Sequence, residues 1–162
     1  MLRNVMLGLH LHSHYNFVDA LLNTAAYRKH EQDNERKALE IIEFMGLTKY
    51  KDELAMNLPH GFQRALGIAI ALGANPVLLM LDEPVTGMNP EESAAMMKLI
   101  RRIRDRGITI LLIEHDMKVV MGICEKITVL NFGKKIAEGT PREIQANPDV
   151  HEAYLGGEHY VA

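Results

Sequence analysis

The sequence predicts an α/β fold in which a parallel sheet carries helices on both faces and is preceded by a helical subdomain. Two continuous apolar runs, Val77–Leu81 and Ile108–Ile113, are separated by a segment with helical features. Strands that are apolar on both sides and alternate with helices are typical of a parallel sheet covered on both faces. We expect a helical subdomain over residues 1–75 and a core over residues 76–162.

Composition places the chain among ordinary globular proteins. Its 162 residues are 48% hydrophobic and 24% charged, which argues against wholesale disorder. The formal charge of −3 gives no basic footprint, so we expect no nucleic-acid partner. The single cysteine, Cys124, excludes an internal disulfide and fits a reducing compartment.

No membrane span or leader is expected. Residues Ala65–Leu81 form the longest uncharged run, but Asn75-Pro76 interrupts it before the roughly 20 apolar residues that a span needs. Proline removes a backbone donor, so the run divides into a helix that ends near Gly73 and a separate strand. Three histidines interrupt the apolar N-terminal stretch before any small-residue cleavage site, which argues against a signal peptide.

One amphipathic helix is predicted in the first third of the chain, from Glu35 to Met45, with Gly46 as its stop. The segment before it is predicted as helix plus loop. Apolar residues recur in the helix at three- and four-residue spacing: Ala38, Leu39, Ile41, Ile42 and Met45.

The helix between the two apolar runs has a well-specified start. Asn89 can cap it, Pro90 suits its first position, and Glu92 occupies the acidic position of a capping box. Losing such a cap typically costs about 0.5–2 kcal/mol. Gly107 is expected to end this helix.

Shorter elements follow the second apolar run. We expect a short helix, a third strand, a turn with a short strand, and a last helix whose capping box consists of Thr140 and Glu143. Their ranges are Met117–Ile123, Lys126–Asn131, Gly133–Thr140 and the residues after Thr140.

Polar side chains come directly after both apolar runs. Asp82 and Glu83 follow the first run and His115 follows the second. Ligands of open parallel sheets bind beyond the carboxyl ends of the strands, so we expect these three residues along one edge. Two carboxylates about 4 Å apart repel by about 4 kcal/mol at an effective dielectric of 20, so adjacent acids there call for a cation or a substrate. The alternative is a solvated turn with two acids and an ordinary surface histidine.

At this point the sequence resembles a known family. "LLMLDEP" resembles the Walker B segment of ATP-binding-cassette ATPases, and "TGMNPEE" resembles the D-loop of branched-chain amino acid importers. "NLPHGFQRALGIAIALGANP" occupies the place of the signature motif, "LLIEHDM" is similar to the strand that leads to the switch histidine, and the sequence from "ITVLNFGKK" onward is similar to the tail of these subunits. The resemblance implies a partial P-loop NTPase fold of the RecA-like kind.

The resemblance also implies roles for the three polar residues and two cofactors, ATP and Mg²⁺. Asp82 would hold Mg²⁺ through water. Glu83 would orient the water that attacks the γ-phosphate and accept its proton, and His115 would contact that phosphate. Phosphoryl transfer needs positioning and charge neutralisation, which these groups can supply.

The signature and D-loop segments are implied to contact a nucleotide held by an opposite subunit. A helix that begins near Phe62 offers N–H groups and a positive dipole end to an anion. Phe62 departs from the family pattern, because a phenyl ring cannot hydrogen-bond a nucleotide as the usual glutamine can. Asn89 replaces the usual D-loop aspartate, as in close relatives. The residues implied to bind nucleotide are Pro59, His60, Gly61, Phe62, Gln63, Met88 and Asn89.

One expected motif is missing from the sequence. No G-x-x-x-x-G-K-[ST] string is present, although its amides and lysine cradle the phosphates in this family. The family's Q-loop and adenine-stacking aromatic also precede the segment that this chain matches. We therefore expect a truncated cassette that does not bind ATP appreciably by itself.

Partners and alternatives follow from the same resemblance. Such subunits form head-to-tail homo- or heterodimers on the cytoplasmic face of the membrane, dock on transmembrane permease subunits, and serve a periplasmic or extracellular binding protein indirectly. The alternative class is a non-catalytic cassette that acts as an assembly module, which Phe62 and the missing loop favour. His10, His12 and His14 could form a metal site but are more simply solvated histidines.

Overall fold

The computed structural model describes residues 1–12 and 17–154. They form two compact units, Met1–Leu111 and Leu112–Ala162. The predicted division into residues 1–75 and 76–162 stays a prediction. In chain order the helices and strands are α1 (Leu2–Leu9), α2 (Phe17–Leu21), α3 (Ala25–Phe44), α4 (His60–Gly73), β1 (Leu78–Asp82), α5 (Pro90–Arg104), β2 (Thr109–Ile113), α6 (Met117–Ile123), β3 (Ile127–Asn131), β4 (Lys134–Gly139), α7 (Pro141–Gln145) and α8 (Pro148–Tyr154). Short 3₁₀ turns lie at His10–His12, Thr48–Tyr50 and Ala55–Asn57.

Helices α1, α3 and α4 pack together in the first unit. Helices α1 and α4 approach closely where two glycines meet. A Cβ placed on Gly8 would lie 2.1 Å from the carbonyl oxygen of Ile70, and one on Gly73 would lie 3.1 Å from the carbonyl oxygen of Val5. Val5 is fully buried at this crossing. The absence of side chains at the two glycines therefore sets how close the helices lie.

Helix α3 is longer than the sequence analysis predicts. It begins at Ala25 instead of Glu35, because Thr24 caps it by accepting a hydrogen bond from the Tyr27 N–H at 3.2 Å. No proline or glycine interrupts the chain between Ala25 and Phe44. The helix ends where predicted, and Gly46 follows it with a φ of +71°.

Strands β1 and β2 form a two-stranded parallel sheet. The N–H of Thr109, the first residue of β2, donates at 3.0 Å to the carbonyl of Val77, which directly precedes β1. Leu79 and Leu81 of β1 are 5% and 7% exposed, whereas Leu78 and Met80 are 47% and 62% exposed. One face of β1 is therefore buried, and its other face is open in the part of the chain that the structure describes.

Helix α5 begins as the sequence predicts. Its capping box is formed in both directions between Asn89 and Glu92, with Pro90 at the first helical position. The helix buries Met96, Leu99, Ile100 and Ile103. After the helix Gly107 adopts a φ of +89°, a conformation that favours glycine.

The C-terminal ends of α3 and α5 are joined by one aromatic ring. The guanidinium carbons of Arg102 and Arg106 lie 4.5 Å and 3.4 Å from the ring centroid of Phe44. Phe44 is 9% exposed. Cations over an aromatic face are attracted by its quadrupole, so this contact holds both arginines in place.

The second unit is built on a hairpin. Strand β3 pairs antiparallel with β4, since the two-residue loop Phe132-Gly133 is too short for a crossover to a parallel neighbour. Both loop residues have positive φ, +44° and +76°, which is the pattern of a type I′ turn. The predicted third strand is therefore half of a hairpin. The core of this unit consists of Ile127, Val129, Ala137, Ile144 and Val150.

Glu138 on β4 lies between two cations. Its carboxylate forms ion pairs with Lys126 and, at 2.9 Å, with Lys135. Hydrogen bonds from Lys126 and Lys135, with their charges, lower the pKa of Glu138 to about 2. In α7 the predicted capping box between Thr140 and Glu143 is formed, and the donors of Thr140 lower the pKa of the Glu143 carboxyl.

In the described ranges, no helix is both long enough and apolar enough to cross a bilayer.

Candidate functional site

The two predicted acids lie where β1 ends. Asp82 is the last residue of the strand and is exposed, whereas Glu83 is partly buried. Glu83 has a φ of +45°, a left-handed conformation that is uncommon for a residue with a side chain. Such backbone outliers cluster at functional sites, where the surrounding structure holds them.

A threonine that the sequence analysis missed contacts Glu83. The Thr86 hydroxyl donates a hydrogen bond of 3.1 Å to Oε2 of Glu83, and the Thr86 N–H donates to the Glu83 carbonyl at 3.3 Å. The carboxylate is thereby held over its own turn. The sequence signal was a hydroxyl residue three positions after the acid.

In the signature segment, helix α4 begins at His60, two residues before the predicted start near Phe62. Pro59 is the N-cap, and its carbonyl accepts from the N–H groups of Phe62 and Gln63 at 2.9 Å and 3.0 Å. The Gln63 amide donates to the Leu58 carbonyl at 2.8 Å. The donors left for an anion at this helix start therefore belong to His60 and Gly61 rather than to Phe62.

The signature segment packs on the turn that follows Glu83. A Cβ placed on Gly87 would lie 3.6 Å from Cε1 of His60, and one on Gly61 would lie 3.9 Å from Cε of Met88. Gly87 has a φ of +79°. The structure thus brings together the predicted signature residues and the predicted D-loop residues of the first unit.

Phe62 packs within the helical part of the first unit. Its ring centroid lies 4.7 Å from that of Tyr50, with the planes inclined by 43°. Phe62 is 36% exposed. An aromatic pair of this geometry stabilises by about 0.5–1.5 kcal/mol beyond its burial, which gives the unusual phenylalanine a structural role.

Asn89 already has hydrogen-bond partners. Its Oδ1 accepts from the Glu92 N–H at 2.9 Å, and Oε2 of Glu92 accepts from the Asn89 N–H at 3.0 Å. The neighbouring Met88 N–H donates to the Val85 carbonyl at 3.1 Å. The predicted D-loop is therefore fixed by the start of α5.

His115 lies in the second unit, where it follows β2 and is exposed. The next residue, Asp116, caps α6 by accepting from the Lys118 N–H at 2.8 Å. Asp82 and Glu83 belong to the first unit. Their gathering with His115 along one rim stays a prediction.

A metal site made by the protein alone is not formed in the described residues, where no group of three or more His, Cys, Asp and Glu side chains could hold a metal ion. Asp82 alone fits Mg²⁺, which keeps several waters and is bound by one or two carboxylates together with substrate phosphates. Of the histidine triplet, His14 lies outside the described residues. Nε2 of His10 is 4.0 Å from Oε1 of Glu31.

Comparison with known proteins relates this arrangement to one family. The family described as branched-chain amino acid ATP-binding cassette transporter matches residues 134–160. The chain is 42% identical over 154 residues to the high-affinity branched-chain amino acid transport ATP-binding protein BraF of Pseudomonas aeruginosa, covering 94% of this chain and 60% of that protein. It is 41% identical over 157 residues to the corresponding protein LivG of Escherichia coli K12, covering 96% and 62%.

Solved structures agree in fold. The ADP conformation of an ATP-binding cassette of an ABC transporter matches with a TM-score of 0.76 and 29% identity, over 97% of this chain and 62% of that one. A nucleotide-free ATP-binding cassette matches with a TM-score of 0.76 and 28% identity, over 96% and 62%. The chain thus spans about three fifths of the length of these relatives. In sequence the chain is similar to about three fifths of branched-chain amino acid transport ATP-binding proteins, and in fold it is similar to ATP-binding cassettes of ABC transporters.

Proposed function

We propose that the chain supplies the hydrolytic acids and the signature segment of an ATPase that energises branched-chain amino acid import. The observation that supports this most directly is the turn after β1, where Glu83 is strained and tied to Thr86 while His60 packs on Gly87. Catalytic glutamate and signature segment are thereby linked through a few residues of one unit. We take branched-chain amino acids as the transported substrates because the names of the relatives state them.

The roles of the acids follow from their positions. Asp82, exposed at the strand end, would hold Mg²⁺ through water, and the ion would neutralise charge on the phosphates. Glu83 orients the attacking water and accepts its proton, and the hydroxyl of Thr86 steadies its carboxylate by donating to Oε2. His115 contacts the γ-phosphate through its imidazole.

The signature segment serves a nucleotide on an opposite subunit. The N–H groups of His60 and Gly61 at the start of α4 point a positive dipole end toward the phosphates. The chain carries no phosphate-loop sequence of its own, so the nucleotide is gripped by another polypeptide segment. Permease subunits on the cytoplasmic membrane face are the further partners, and a binding protein acts through them.

Two measurements test this proposal. The first titrates the isolated chain with a fluorescent ATP analogue and Mg²⁺, for which we expect no saturable binding. Micromolar affinity would refute the expectation that this chain does not bind ATP alone.

The second measurement tests whether the chain hydrolyses ATP when the segment that it lacks relative to its relatives is supplied separately. The chain is co-expressed with the segment of the E. coli relative that it does not match, and Mg²⁺-dependent ATP hydrolysis is measured. We expect hydrolysis that Glu83→Gln lowers by about 100-fold or more, because a general base contributes that much. Glu35→Gln, an exposed acid on α3, is the matched control and should leave the rate unchanged.

The outcomes separate the two function classes. Hydrolysis that survives Glu83→Gln would remove Glu83 from the mechanism. A stable complex without any hydrolysis would favour the alternative, a non-catalytic assembly module. Phe62 supports that alternative, since its ring pairs with Tyr50 and offers no hydrogen bond to a nucleotide.

A further inference from the structure

A cavity of about 250 Å³ lies in the first unit between the end of α3, the start of α4 and one face of α5. Neither the acids after β1 nor His60 lines it. Liquid water occupies about 30 Å³ per molecule, so the cavity has room for roughly eight non-hydrogen atoms. Its size suits a small molecule better than a cofactor.

The floor of the cavity is apolar and preformed. It consists of side chains that are buried by the three helices: Met45 is 5% exposed, Ala65 is 5%, Met96 is 4% and Leu99 is 9%. Phe62 forms part of the wall and is braced by Tyr50. Small-molecule sites combine such an apolar lining with a few convergent polar groups.

Two cations stand at one end of the rim. Lys98 and Arg102 both line the cavity, and four residues along a helix place them about 6 Å apart on the same side. Arg102 is held over the ring of Phe44 at 4.5 Å. Within residues 1–12 and 17–154 neither cation forms an ion pair. This end of the rim is therefore charged to receive an anion.

The position of Glu92 helps to distinguish a simple carboxylate from a zwitterion as the ligand of the cavity. Glu92 also lines the cavity, but it lies six residues from Lys98 and ten from Arg102, about 9 Å and 15 Å along the helix axis. Oε2 of Glu92 accepts from the Asn89 N–H at 3.0 Å, which holds this carboxylate at the helix start, on the far side from Lys98 and Arg102. The arrangement therefore suits a monocarboxylate with an apolar tail and disfavours a zwitterion.

We propose that this cavity binds a small aliphatic carboxylate, with its head group at Lys98 and Arg102 and its tail against Phe62 and Met96. The head-group position at Lys98 and Arg102 includes none of the residues proposed to contact nucleotide, whereas Gly61, Phe62 and Met88 belong to both sites. Because Gly61 and Met88 also line the cavity, a bound molecule touches the segments proposed to contact nucleotide.

The probe is 4-methylpentanoate, which matches the cavity in size and has about eight non-hydrogen atoms. Calorimetry and amide chemical-shift mapping are performed on the whole chain without nucleotide. We expect saturable binding with a Kd on the order of 1 mM or tighter, with shifts centred on α5 and the start of α4. The alcohol of the same skeleton and leucine should each bind at least about tenfold more weakly.

Variants test the two halves of the site separately. Lys98→Gln and Arg102→Gln should each weaken binding about tenfold by removing a charge-assisted contact. Ala95→Leu should abolish binding, since Ala95 lines the cavity from the exposed side of α5 and a larger side chain fills it. Arg104→Gln is the matched control, because Arg104 is on the same helix, pairs with Asp105 and does not line the cavity.

The proposal is overturned by any of three results: no saturable binding, binding that Ala95→Leu leaves intact, or an alcohol that binds as tightly as the carboxylate. Circular dichroism of each variant confirms that the helices remain. Since no nucleotide is present, a failure here leaves the ATPase proposal untouched, and an inactive ATPase leaves this site untouched.

Discussion

The hydroxyl of Thr86 donates a hydrogen bond of 3.1 Å to the carboxylate of Glu83, three residues before it. We predict that Thr86→Val, which keeps the shape and removes the donor, lets the Glu83 side chain sample several rotamers. Three-bond couplings of Glu83 measured by NMR should then become averaged, while Thr86→Ser retains the fixed values. Averaged couplings already present in the unaltered chain would contradict this role for Thr86.

The crossing of α1 and α4 predicts opposite effects for two glycine substitutions. Gly8→Ala should lower the free energy of unfolding by about 1–3 kcal/mol, because the new methyl group would lie 2.1 Å from the Ile70 carbonyl oxygen. Gly67→Ala in α4 should raise it by about 0.5–1 kcal/mol, because Gly67 is exposed and no atom lies within 4 Å of its added Cβ. Urea unfolding measures the free energy of unfolding of both variants. Equal changes for Gly8→Ala and Gly67→Ala would show that α1 and α4 are not tightly packed at Gly8.

Acid should weaken the second unit through Glu138. Its pKa is lowered from 4.5 to about 2 in the folded chain by Lys126 and Lys135, so the carboxylate binds its proton less readily when folded than when unfolded. Its stabilisation is complete above about pH 4.5 and is lost as the pH falls through about 2. Glu138→Gln should therefore flatten the dependence of Tm on pH between these values. Glu152→Gln, an exposed acid in α8, should leave the slope as it is.

The β3–β4 turn predicts a stabilising substitution. Phe132 has a φ of +44° and is fully exposed, so its ring loses no packing when it is replaced. Phe132→Asn creates the Asn-Gly pair that type I′ turns prefer and should raise the free energy of unfolding by about 0.5–1 kcal/mol. Thermal unfolding measures this. A lower Tm would mean that the phenyl ring contributes a contact after all.

Local signals explain what the sequence predicted well. The start of α5 follows from Asn89, Pro90 and Glu92 within four residues, and its end from Gly107. The strand before it follows from an apolar run that is cut off by two acids. Such elements are set by neighbours in the chain, so no knowledge of packing is needed.

Contacts between distant segments explain what the sequence did not predict. The longer α3 depends on the cap at Thr24. From sequence alone, a capping threonine in a polar stretch cannot be distinguished from one that does not cap a helix. The packing of His60 on Gly87 and of Phe62 on Tyr50 joins parts of the chain that only folding brings together. The strain at Glu83 likewise appears only in the backbone angles.

The open face of β1 governs how the chain behaves when it is handled alone. Leu78 and Met80 remain 47% and 62% exposed, and aliphatic surface on a short sheet invites other molecules to stack on it. The apparent molar mass measured by light scattering should rise with concentration, and mild detergent should suppress that rise.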